Sequence, residues 1–424
     1  MRSTLFTVRL QLQTAGGVTA PEDLRIEAID SGDGEQRLRN TRPLRRDPTG
    51  APHLPGTTVA GSLRAHCAAI PALRDAFGPA PGADVRTASP IQVLGTLTRT
   101  STEPEHRART AIDRARAAAR THALHRTETL PTGTQFDIYL RWNNASEAEL
   151  TALEDALRQW NPQLGAGASV GAGRATVTAL ARRSFDLASE TGLADWLAIT
   201  GPADYPTPEP ITAPRARQPL RCHTLRIVEA LHIGTGTTRT GDRDEEIAEI
   251  LTHAGVPVIP GSTLKGVIRA RVEYICRVLD APACDSASCG TCRPCLLFGH
   301  GVTGTDTTPG RARIAIPDAE VRHAHIEQRR HVAIDRFTGG ARDQHLYTHD
   351  VLTAGEFDLV IDDLTGTGLD PVDTLLLDAA LHDLHDGLIG LGARTTAGYG
   401  TVTDTDPHPP DLTGLSSRLT PGSP

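Results

Sequence analysis

An internal duplication constrains the fold of this chain more than any other feature of its sequence. Residues 333–355, AIDRFTGGARDQHLYTHDVLTAG, lie over residues 111–133 without a gap when the chain is shifted by 222 positions (333 − 111). Nine of the twenty-three aligned positions are identical. Because so many matches in one ungapped segment are improbable by chance, we predict two copies of a single fold.

Two further pairs of segments repeat in the same order. Residues 54–65 match residues 259–270, and residues 164–177 match residues 389–402. Each half is therefore about 200 residues long, the size of one domain. The predicted boundaries are a first domain at 1–200, a proline-rich linker at 201–219, a second domain at 220–404 and a disordered tail at 405–424.

The hydrophobic pattern of each half predicts a mixed α+β fold. Alternating residues predict strands, and apolar residues four apart predict helices, in an order that the second half replays. In the first half a strand at 3–13 is followed by a loop to about residue 40. A helix then follows a Pro-Gly turn, and a second helix starts at Ser146, with Glu149 placed for a capping box. This order predicts a split βαβ, ferredoxin-like sheet in each half.

Composition narrows the class of partner. The formal net charge is −8, so the global field does not attract nucleic acid, and any contact with it must come from local basic patches. No run of eighteen apolar residues is present, and the N-terminal residues alternate instead of forming the apolar block of a signal peptide. We therefore expect a cytoplasmic protein with no membrane contact.

Five of the seven cysteines lie between Cys276 and Cys295, which in a cytosolic chain indicates metal binding rather than disulfides. Cys284, Cys289, Cys292 and Cys295 have the spacing C-x4-C-x2-C-x2-C. Four thiolates this close can surround one tetrahedral zinc ion and leave no open position. We predict that structural zinc stabilises an insertion at about residues 276–295, with Cys276 either a helix residue or a substitute ligand.

The duplicated segments lie in basic surroundings. Six arginines and two acidic residues occur between positions 105 and 126, and five arginines with five histidines occur between 321 and 349. Each segment is strand-like at both ends with small residues between, the pattern of a long hairpin or protruding arm. We predict phosphate contacts from the arginines that recur in register, which are Arg114, Arg120, Arg336 and Arg342.

Glycine-rich turns recur at the same place in both halves. Gly165 and Gly167 occupy in the first half the positions that Gly390 and Gly392 occupy in the second. Turns without side chains let the backbone approach a ligand closely and offer amide donors to phosphate. We therefore expect these turns to bind a repeating polyanion.

These motifs together resemble the RAMP (repeat-associated mysterious protein) superfamily, in particular the backbone subunits of type III CRISPR effector complexes. The segments that carry the resemblance are LHIGTG at 231–236, IPGSTLKG at 259–266, LLFG at 296–299, RARIAIPDA at 311–319, IDRFTGGA at 334–341 and GLGARTTAGYG at 390–400. They cover nearly all of the second half, and the first half is a diverged copy. The chain thus resembles a tandem fusion of two backbone units, as in type III-D-like complexes.

The resemblance implies a function in RNA binding. Each unit would be an RNA-recognition-like domain that grips the guide RNA, and the duplicated segment would be a thumb hairpin at the guide–target duplex. The implied partners are guide RNA, target RNA, neighbouring RAMP subunits and the large polymerase/cyclase-like subunit. Further candidate RNA-binding residues are His232, Arg394 and Lys265, the last being the only lysine of the chain.

The resemblance also implies catalysis. In such subunits an aspartate in the loop before the Pro-Gly turn cuts target RNA with a divalent metal, here Mg or Mn, and with attack by the neighbouring 2′-hydroxyl. Asp244 best matches that position, and Asp242 is a close rival because the register is uncertain by one or two residues. No acidic residue occurs from 36 to 46, so we expect the first half to bind RNA without cutting it, although Asp30 or Asp33 could reach in.

Two alternatives stay open at this point. The chain could be a purely RNA-binding scaffold of the same complex. It could instead be a guide-processing endoribonuclease of the same superfamily, with His232 as acid or base near a glycine-rich turn. A stand-alone zinc hydrolase is disfavoured, because the four-cysteine set leaves no open position on the metal.

Overall fold

Two units make up the protein in the computed structural model. Unit 1 comprises Met1–Arg109, Leu124–Ala168 and Ala172–Arg217, and unit 2 comprises Thr110–Ala123, Ser169–Gly171 and Gln218–Pro424. The residues that the structure describes are 1–30, 36–79, 87–99, 103–109, 112–113, 118–119, 125–212, 218–241, 245–253, 255–285, 288–301 and 310–419.

The N-terminal half of the chain contains three helices among its described residues. They are α1 (Gly56–Cys67), α2 (Glu147–Arg158) and α3 (Glu190–Leu197). The strands are β1 (Arg2–Leu12), β2 (Arg25–Asp30), β3 (Gln36–Arg42), β4 (Ile91–Thr98), β5 (Glu105–Arg109), β6 (Ile112–Asp113), β7 (Ala118–Ala119), β8 (His125–Thr129), β9 (Gln135–Asn143), β10 (Ala175–Asp186) and β11 (Glu209–Pro210).

The central sheet of unit 1 has the strand order β11-β10-β1-β9-β4, with every neighbouring pair antiparallel. Without β11, this is the fourth, first, third and second strand of a β-α-β-β-α-β chain, the ferredoxin-like arrangement. Phe6, Val8 and Leu10 alternate along β1 and belong to the same core as Leu63 of α1 and Leu153 of α2. Burial of this apolar face against the two helices holds the sheet and helices together.

The sheet face opposite the helices is covered in unit 1 by the chain that follows β10. Tyr139 of β9 meets Tyr205 with ring centroids 4.9 Å apart, and Phe185 of β10 meets Trp196 of α3 at 5.4 Å. Tyr139 and Phe185 are both buried. Unit 1 therefore does not present an open sheet face at these positions.

The C-terminal half of the chain contains four helices among its described residues. They are α4 (Gly261–Val278), α5 (Arg293–Phe298), α6 (Pro371–His385) and α7 (Leu415–Leu419). The strands are β12 (Arg221–Ile227), β13 (Gly234–Thr240), β14 (Glu246–Ile250), β15 (Thr252–His253), β16 (Val256–Ile259), β17 (Ile314–Ala315), β18 (Ala319–Glu320), β19 (Arg322–Ile334), β20 (Ala341–Asp363) and β21 (Val402–Asp404).

Unit 2 repeats the ferredoxin-like order, since β21 pairs with β12, β12 with β20, and β20 with β17, all antiparallel. The core contains Leu264 of α4, Leu377 of α6 and Phe357 of β20. The N-terminal part of β20 pairs with β19 in a long antiparallel hairpin. At its turn the Asp335 carboxylate accepts from the N–H of Phe337 at 2.9 Å, which closes the hairpin.

The duplicated segments share a pairing register. Ile334 pairs with Ala341 in the long hairpin, and Ile112 pairs with Ala119 between β6 and β7. These positions differ by 222 in both strands (334 − 112 and 341 − 119), the offset of the duplication. The repeat in the sequence is therefore also a repeat in the backbone.

The helix predictions hold in detail. Helix α1 buries Val59, Leu63 and Cys67, the three residues that are four apart. In α2 the Ser146 hydroxyl accepts from the Glu149 N–H, and the Glu149 carboxylate accepts from the Ser146 N–H at 2.8 Å. The predicted capping box is thus confirmed.

Three stretches differ from the sequence-based prediction. The predicted loop before residue 40 contains β2 and β3, which pair with each other. The predicted linker contains β11, which pairs with β10, and the predicted disordered tail contains α7, whose Leu415 and Leu419 are buried in the unit 2 core. Each of these short segments is ordered by another segment: β2 and β3 by each other, β11 by β10, and α7 by the unit 2 core. The composition of a segment does not show which other segment it will pair with or pack on.

No helix among the described residues is long and apolar enough to cross a membrane.

Candidate nucleic-acid interface and metal centre

The chain between α4 and the end of α5 folds back on itself at the predicted insertion. Gly290 has a φ of 80°, and α5 begins immediately after Cys292 with Pro294 in its first turn. A left-handed φ favours glycine, and proline suits a helix start, so both residues fix the direction of the chain here. Cys276 is fully buried in the core of unit 2, which makes it a helix core residue.

The four remaining cysteines of the insertion converge. Their sulfur atoms all lie within 4.8 Å of one another. Cys284 Sγ is 3.7 Å from both Cys292 Sγ and Cys295 Sγ. A tetrahedral metal with sulfur ligands at about 2.3 Å sets the sulfurs about 3.8 Å apart. The donor set, completed by Cys289, could therefore bind a metal ion such as zinc.

Hydrogen bonds favour negative charge on one sulfur of the set. Cys289 Sγ accepts from the Thr291 hydroxyl at 3.5 Å and from the Cys292 N–H at 3.3 Å, and these bonds lower the pKa of Cys289 to about 5. Burial raises the pKa of Cys284 to about 11 and also raises that of Cys292. Since metals bind thiolates, a bound cation would supply what the two buried thiols need to lose their protons.

A second cluster lies at the base of the β19–β20 hairpin, and we call it the imidazole–tyrosine cluster. Its five rings are those of His232, His331, Tyr347, His349 and Tyr399. The rings of Tyr347 and His331 are nearly parallel at 5.4 Å, and those of His331 and His349 at 4.7 Å. His232 meets His349 edge-on at 5.2 Å, and His331 Nε2 is 3.2 Å from the Tyr399 hydroxyl.

Two arginines border the imidazole–tyrosine cluster. The Arg394 guanidinium lies 4.7 Å from the centroid of the Tyr347 ring and donates to its hydroxyl at 3.2 Å. The Arg329 guanidinium lies 5.3 Å from the centroid of the Tyr399 ring. Arg394 is exposed and has a φ of 63°, a left-handed conformation that is uncommon for a residue with a side chain and that concentrates at functional sites.

The innermost imidazole of the cluster is neutral. His349 is 2 % exposed, and neither of its ring nitrogens has a hydrogen-bond partner among the described residues. Burial, followed by the charge of Arg394, lowers the pKa of His349 to about 4, and the same two causes lower the pKa of His331. Arg394 and Arg329 supply positive charge to this surface at neutral pH, and His349 and His331 do not.

The glycine-rich turn of unit 2 packs against His232. The Ala393 N–H donates to the His232 carbonyl oxygen at 2.9 Å, and a Cβ on Gly392 would lie 2.5 Å from that oxygen. His232 Nδ1 is 2.7 Å from the Asp350 carbonyl oxygen. Because a carbonyl only accepts, Nδ1 carries a proton and donates to it, which leaves Nε2 as the acceptor in the neutral tautomer.

The equivalent turn of unit 1 also lies close to backbone of its own unit, but there the contact is made by Gly165, the counterpart of Gly390, whereas in unit 2 it is made by Gly392. A Cβ on Gly165 would collide with the carbonyl oxygen of Gly17. Gly167 has a φ of 88°, which favours glycine. Close approach of the chain to its own backbone thus accounts for Gly165 and Gly392. Contact of these glycines, or of Gly390, with a polyanion stays a prediction.

Three other predicted site residues lie outside the imidazole–tyrosine cluster. Arg336 and Arg342 are exposed on the hairpin. Lys265 is half-buried on α4, where burial, followed by the charge of Arg269, lowers its pKa to about 8. The predicted residues that lie outside the described residues are Arg114, Arg120, Asp242 and Asp244.

Of the predicted RNA-binding residues, His232, Gly392 and Arg394 come together at the imidazole–tyrosine cluster. Sequence reasoning missed the other four rings of the cluster and one arginine at its border. The rings are those of His331, Tyr347, His349 and Tyr399, and the arginine is Arg329. Part of the signal was present, because residues two apart on a strand share a face, as Tyr347 and His349 do on β20. Their meeting with Tyr399, fifty positions further on (399 − 349), depends on the fold and has no local signal.

The outer part of the hairpin exposes apolar side chains. Val332 and Leu346 pair across the two strands, and Ile334 is two residues further along β19. All three are exposed, and Phe337 at the turn is 92 % exposed. An apolar tip next to exposed arginines is a surface that suits a partner with both flat apolar groups and negative charge.

Comparison with known sequences agrees with the duplicated fold. The sequence model of the RAMP superfamily matches two regions of the chain, residues 25–176 and 224–403, which together make up well over half of its length. No curated protein sequence matches the chain. Members of this superfamily act in CRISPR complexes with RNA and other subunits. The chain belongs to the RAMP superfamily, and this membership indicates a CRISPR-associated RNA-binding subunit.

Proposed function

We propose that the chain is a backbone subunit of a type III CRISPR effector complex, a tandem fusion of two RAMP units that binds guide RNA. The observation that carries this proposal is the imidazole–tyrosine cluster with Arg329 and Arg394 at its border. The partners in this proposal are guide RNA, target RNA, neighbouring RAMP subunits and the large polymerase/cyclase-like subunit, and the location is the cytoplasm.

The chemistry of the cluster suits a single-stranded RNA backbone. Arg394 is exposed and can bond phosphate oxygens, and the exposed Tyr347 ring beside it can stack with a base. Stacking tolerates any base, and phosphate contacts carry no sequence information. A subunit with these groups holds guides of any sequence, which is what a guide-binding backbone requires.

The β19–β20 hairpin is the proposed thumb. Phe337 at its tip can enter between neighbouring bases, because apolar side chains that insert into a base step unstack it at a cost of a few kcal/mol. Arg336 and Arg342 are exposed on either side of this turn and can bond the flanking phosphates. In this proposal the hairpin divides the guide–target duplex into segments.

Unit 1 binds RNA in this proposal without cutting it. The covered sheet face argues against an RNA site on the sheet, so the proposed contacts are at the edge of the unit. They are made by the glycine-rich turn with Gly165 and Gly167. Arg114 and Arg120 of the first duplicated segment stay proposed RNA-binding residues and lie outside the described residues.

Zinc is the proposed ion of the cysteine site. The spacing of the four sulfur atoms supports a tetrahedral metal, and Cys284, Cys292 and Cys295 are buried. Four thiolates leave no position for a substrate, so the proposed role of the ion is to hold the insertion together.

An arginine substitution tests RNA binding at the cluster. Arg394→Gln removes one phosphate contact, and we expect about tenfold weaker binding of single-stranded guide RNA to the full chain, since a hydrogen bond to a charged group contributes about 1.5–3 kcal/mol. The salt dependence of log Kd should also fall by about 0.7. Fluorescence anisotropy across a salt series measures both quantities.

Arg418→Gln is the matched control, because Arg418 is exposed on α7 and lies outside the cluster. RNA affinity should not change in this variant. Equal losses in the two variants, or an unchanged affinity in Arg394→Gln, would contradict RNA binding at the cluster.

Cleavage of target RNA is proposed for Asp244, with Asp242 as the alternative and with Mg or Mn as the metal. The assembled complex should cut a complementary RNA in magnesium, and a chelator should abolish the cut. Asp244→Ala should remove the cut made at this subunit and leave guide and target binding intact. Cutting that is unchanged in both Asp244→Ala and Asp242→Ala would assign the chemistry to another subunit or leave this chain a scaffold.

A guide-processing endoribonuclease is the second candidate, and the three imidazoles of the cluster favour it. His232 Nε2 is an acceptor and can take a proton from a 2′-hydroxyl. Such a nuclease needs no metal. Cleavage of a precursor guide RNA by the full chain in excess chelator, lost in His232→Ala, would favour this candidate over the first.

A further inference from the structure

Arg269, on the buried side of α4, contacts a sulfur of the cysteine site. Its side chain is 12 % exposed and donates four hydrogen bonds. They run from Nε to Glu273 Oε1 at 2.8 Å, from Nη1 to the Gly299 carbonyl oxygen at 2.7 Å, and from Nη2 to Ser288 Oγ at 3.2 Å and to Cys295 Sγ at 3.5 Å. One guanidinium thus joins the helix to the middle of the insertion, at Ser288, and to its C-terminal end, at Cys295 and Gly299.

The net negative charge of a metal ion bound by four thiolates favours a cation beside the cysteine site. A divalent ion with four thiolates has a net charge of −2, and an uncompensated buried charge is costly. Cys295 is fully buried, so solvent does not screen it. A guanidinium donor at the sulfur offsets part of that charge.

Glu273 holds Arg269 in position. Its side chain is 1 % exposed, and the two residues are four apart on α4, on the same face of the helix. The helix itself is anchored in the core by Leu264, Ile268 and Val272. Arg269 is therefore oriented by a buried carboxylate on a rigid element, as groups that orient metal ligands typically are.

We propose that Arg269 is a positioning residue of the metal site, which strengthens metal binding by donating to the Cys295 thiolate and by tying the insertion to α4. This inference rests on the proposed zinc site. It assigns to Arg269 an effect on metal affinity that is separate from its effect on the stability of the helix.

The experiment measures zinc affinity of the full chain by competition with a chromogenic chelator. We expect Arg269→Gln to weaken zinc binding by 10- to 100-fold, the usual effect of removing an outer partner of a metal ligand. Arg269→Lys keeps the charge and should recover part of the affinity. With cobalt in place of zinc, the sulfur-to-cobalt charge-transfer band should shift in Arg269→Gln, because Cys295 loses a hydrogen bond.

Arg271→Gln is the matched control on the same helix. Arg271 pairs with Asp383 at 2.6 Å and is comparably buried, and its hydrogen-bond partner in the described part of the chain is a carboxylate and not a thiol. Its variant should lose stability without losing zinc affinity. Because Arg269→Gln leaves Glu273 buried without its arginine, the double variant Arg269→Gln, Glu273→Gln serves as a second test that keeps the pair neutral, and it should show the same weakened zinc binding.

The outcomes separate the two proposals. A wild-type chain that binds no zinc or cobalt would overturn the metal site and this inference with it. A wild-type chain that binds zinc, with equal affinity in the Arg269 and Arg271 variants and an unchanged cobalt spectrum, would overturn the role of Arg269 alone.

Discussion

At the scale of single residues, the burial of His349 has both a cost and compensating contributions to the stability of the cluster. A buried polar group without a hydrogen-bond partner costs about 1–3 kcal/mol, and His349 has no such partner among the described residues. Stacking with His331 offsets part of this cost. Keeping the ring neutral also avoids a third positive charge beside Arg329 and Arg394, which would oppose the packing of the cluster.

Acid should destabilise the protein through this histidine. The groups that face His349 are Arg394, His232, His331 and Arg329, and burial together with these groups lowers the pKa of His349 from 6.5 to about 4. Between those pH values the unfolded chain binds a proton that the folded chain does not, so the stability contribution is complete above pH 6.5 and is lost as pH falls toward 4.

The measurement is the free energy of unfolding by denaturant at several pH values, compared between wild type and His349→Phe. Wild type should lose about 3 kcal/mol more than the variant over this range. Parallel pH profiles for the two proteins would show that His349 titrates as an ordinary histidine.

At the scale of elements, the tip of the hairpin contributes little to stability. Phe337 is 92 % exposed, so its ring contributes little to the fold. Phe337→Ala should therefore leave the melting temperature unchanged and weaken RNA binding by about 1–3 kcal/mol, the usual contribution of stacking on one base. Leu388→Ala, at another exposed apolar residue, is the control and should change neither. A lowered melting temperature with unchanged RNA affinity would make Phe337 a structural residue.

Elements with their own local signal could be predicted from sequence, and others could not. The capping box of Ser146 and Glu149 and the apolar stripe of α1 are contained within one helix, so short-range patterns suffice. Strands β2 and β3 are polar and mixed in pattern, and they are strands because they pair with each other. Likewise α7 exists because Leu415 and Leu419 fill a core that is made by residues far away in sequence.

Of the two candidate sites, the one formed by residues close in sequence could be predicted, and the one formed by distant residues could not. The four cysteines lie within twelve residues (284–295), so their spacing alone predicted that they would converge. The imidazole–tyrosine cluster contains residues from 232 to 399. Its signal in the sequence is limited to the arginine and histidine content of 321–349 and the two-residue spacing of Tyr347 and His349. Arg394 follows the glycine-rich turn of unit 2 in the sequence. In the structure that turn packs on His232, which the sequence does not show.

At the scale of the whole molecule, duplication kept the two sheets and changed what surrounds them. Both units retain the ferredoxin-like strand order. In unit 1 the following chain covers the sheet face opposite the helices, through Tyr205 and Trp196. In unit 2 the addition is the cysteine insertion, and the long hairpin carries part of the imidazole–tyrosine cluster. We therefore propose that the principal RNA contacts are made by unit 2.

Cross-linking tests that assignment most directly. The full chain would be bound to single-stranded guide RNA that carries 4-thiouridine, irradiated, and mapped by mass spectrometry. The account predicts cross-links on the peptides that contain Tyr347 and Phe337, and their loss in Arg394→Gln at limiting RNA. Cross-links confined to unit 1 or to α6 and α7, with those two peptides unmodified, would contradict RNA binding at the cluster and hairpin.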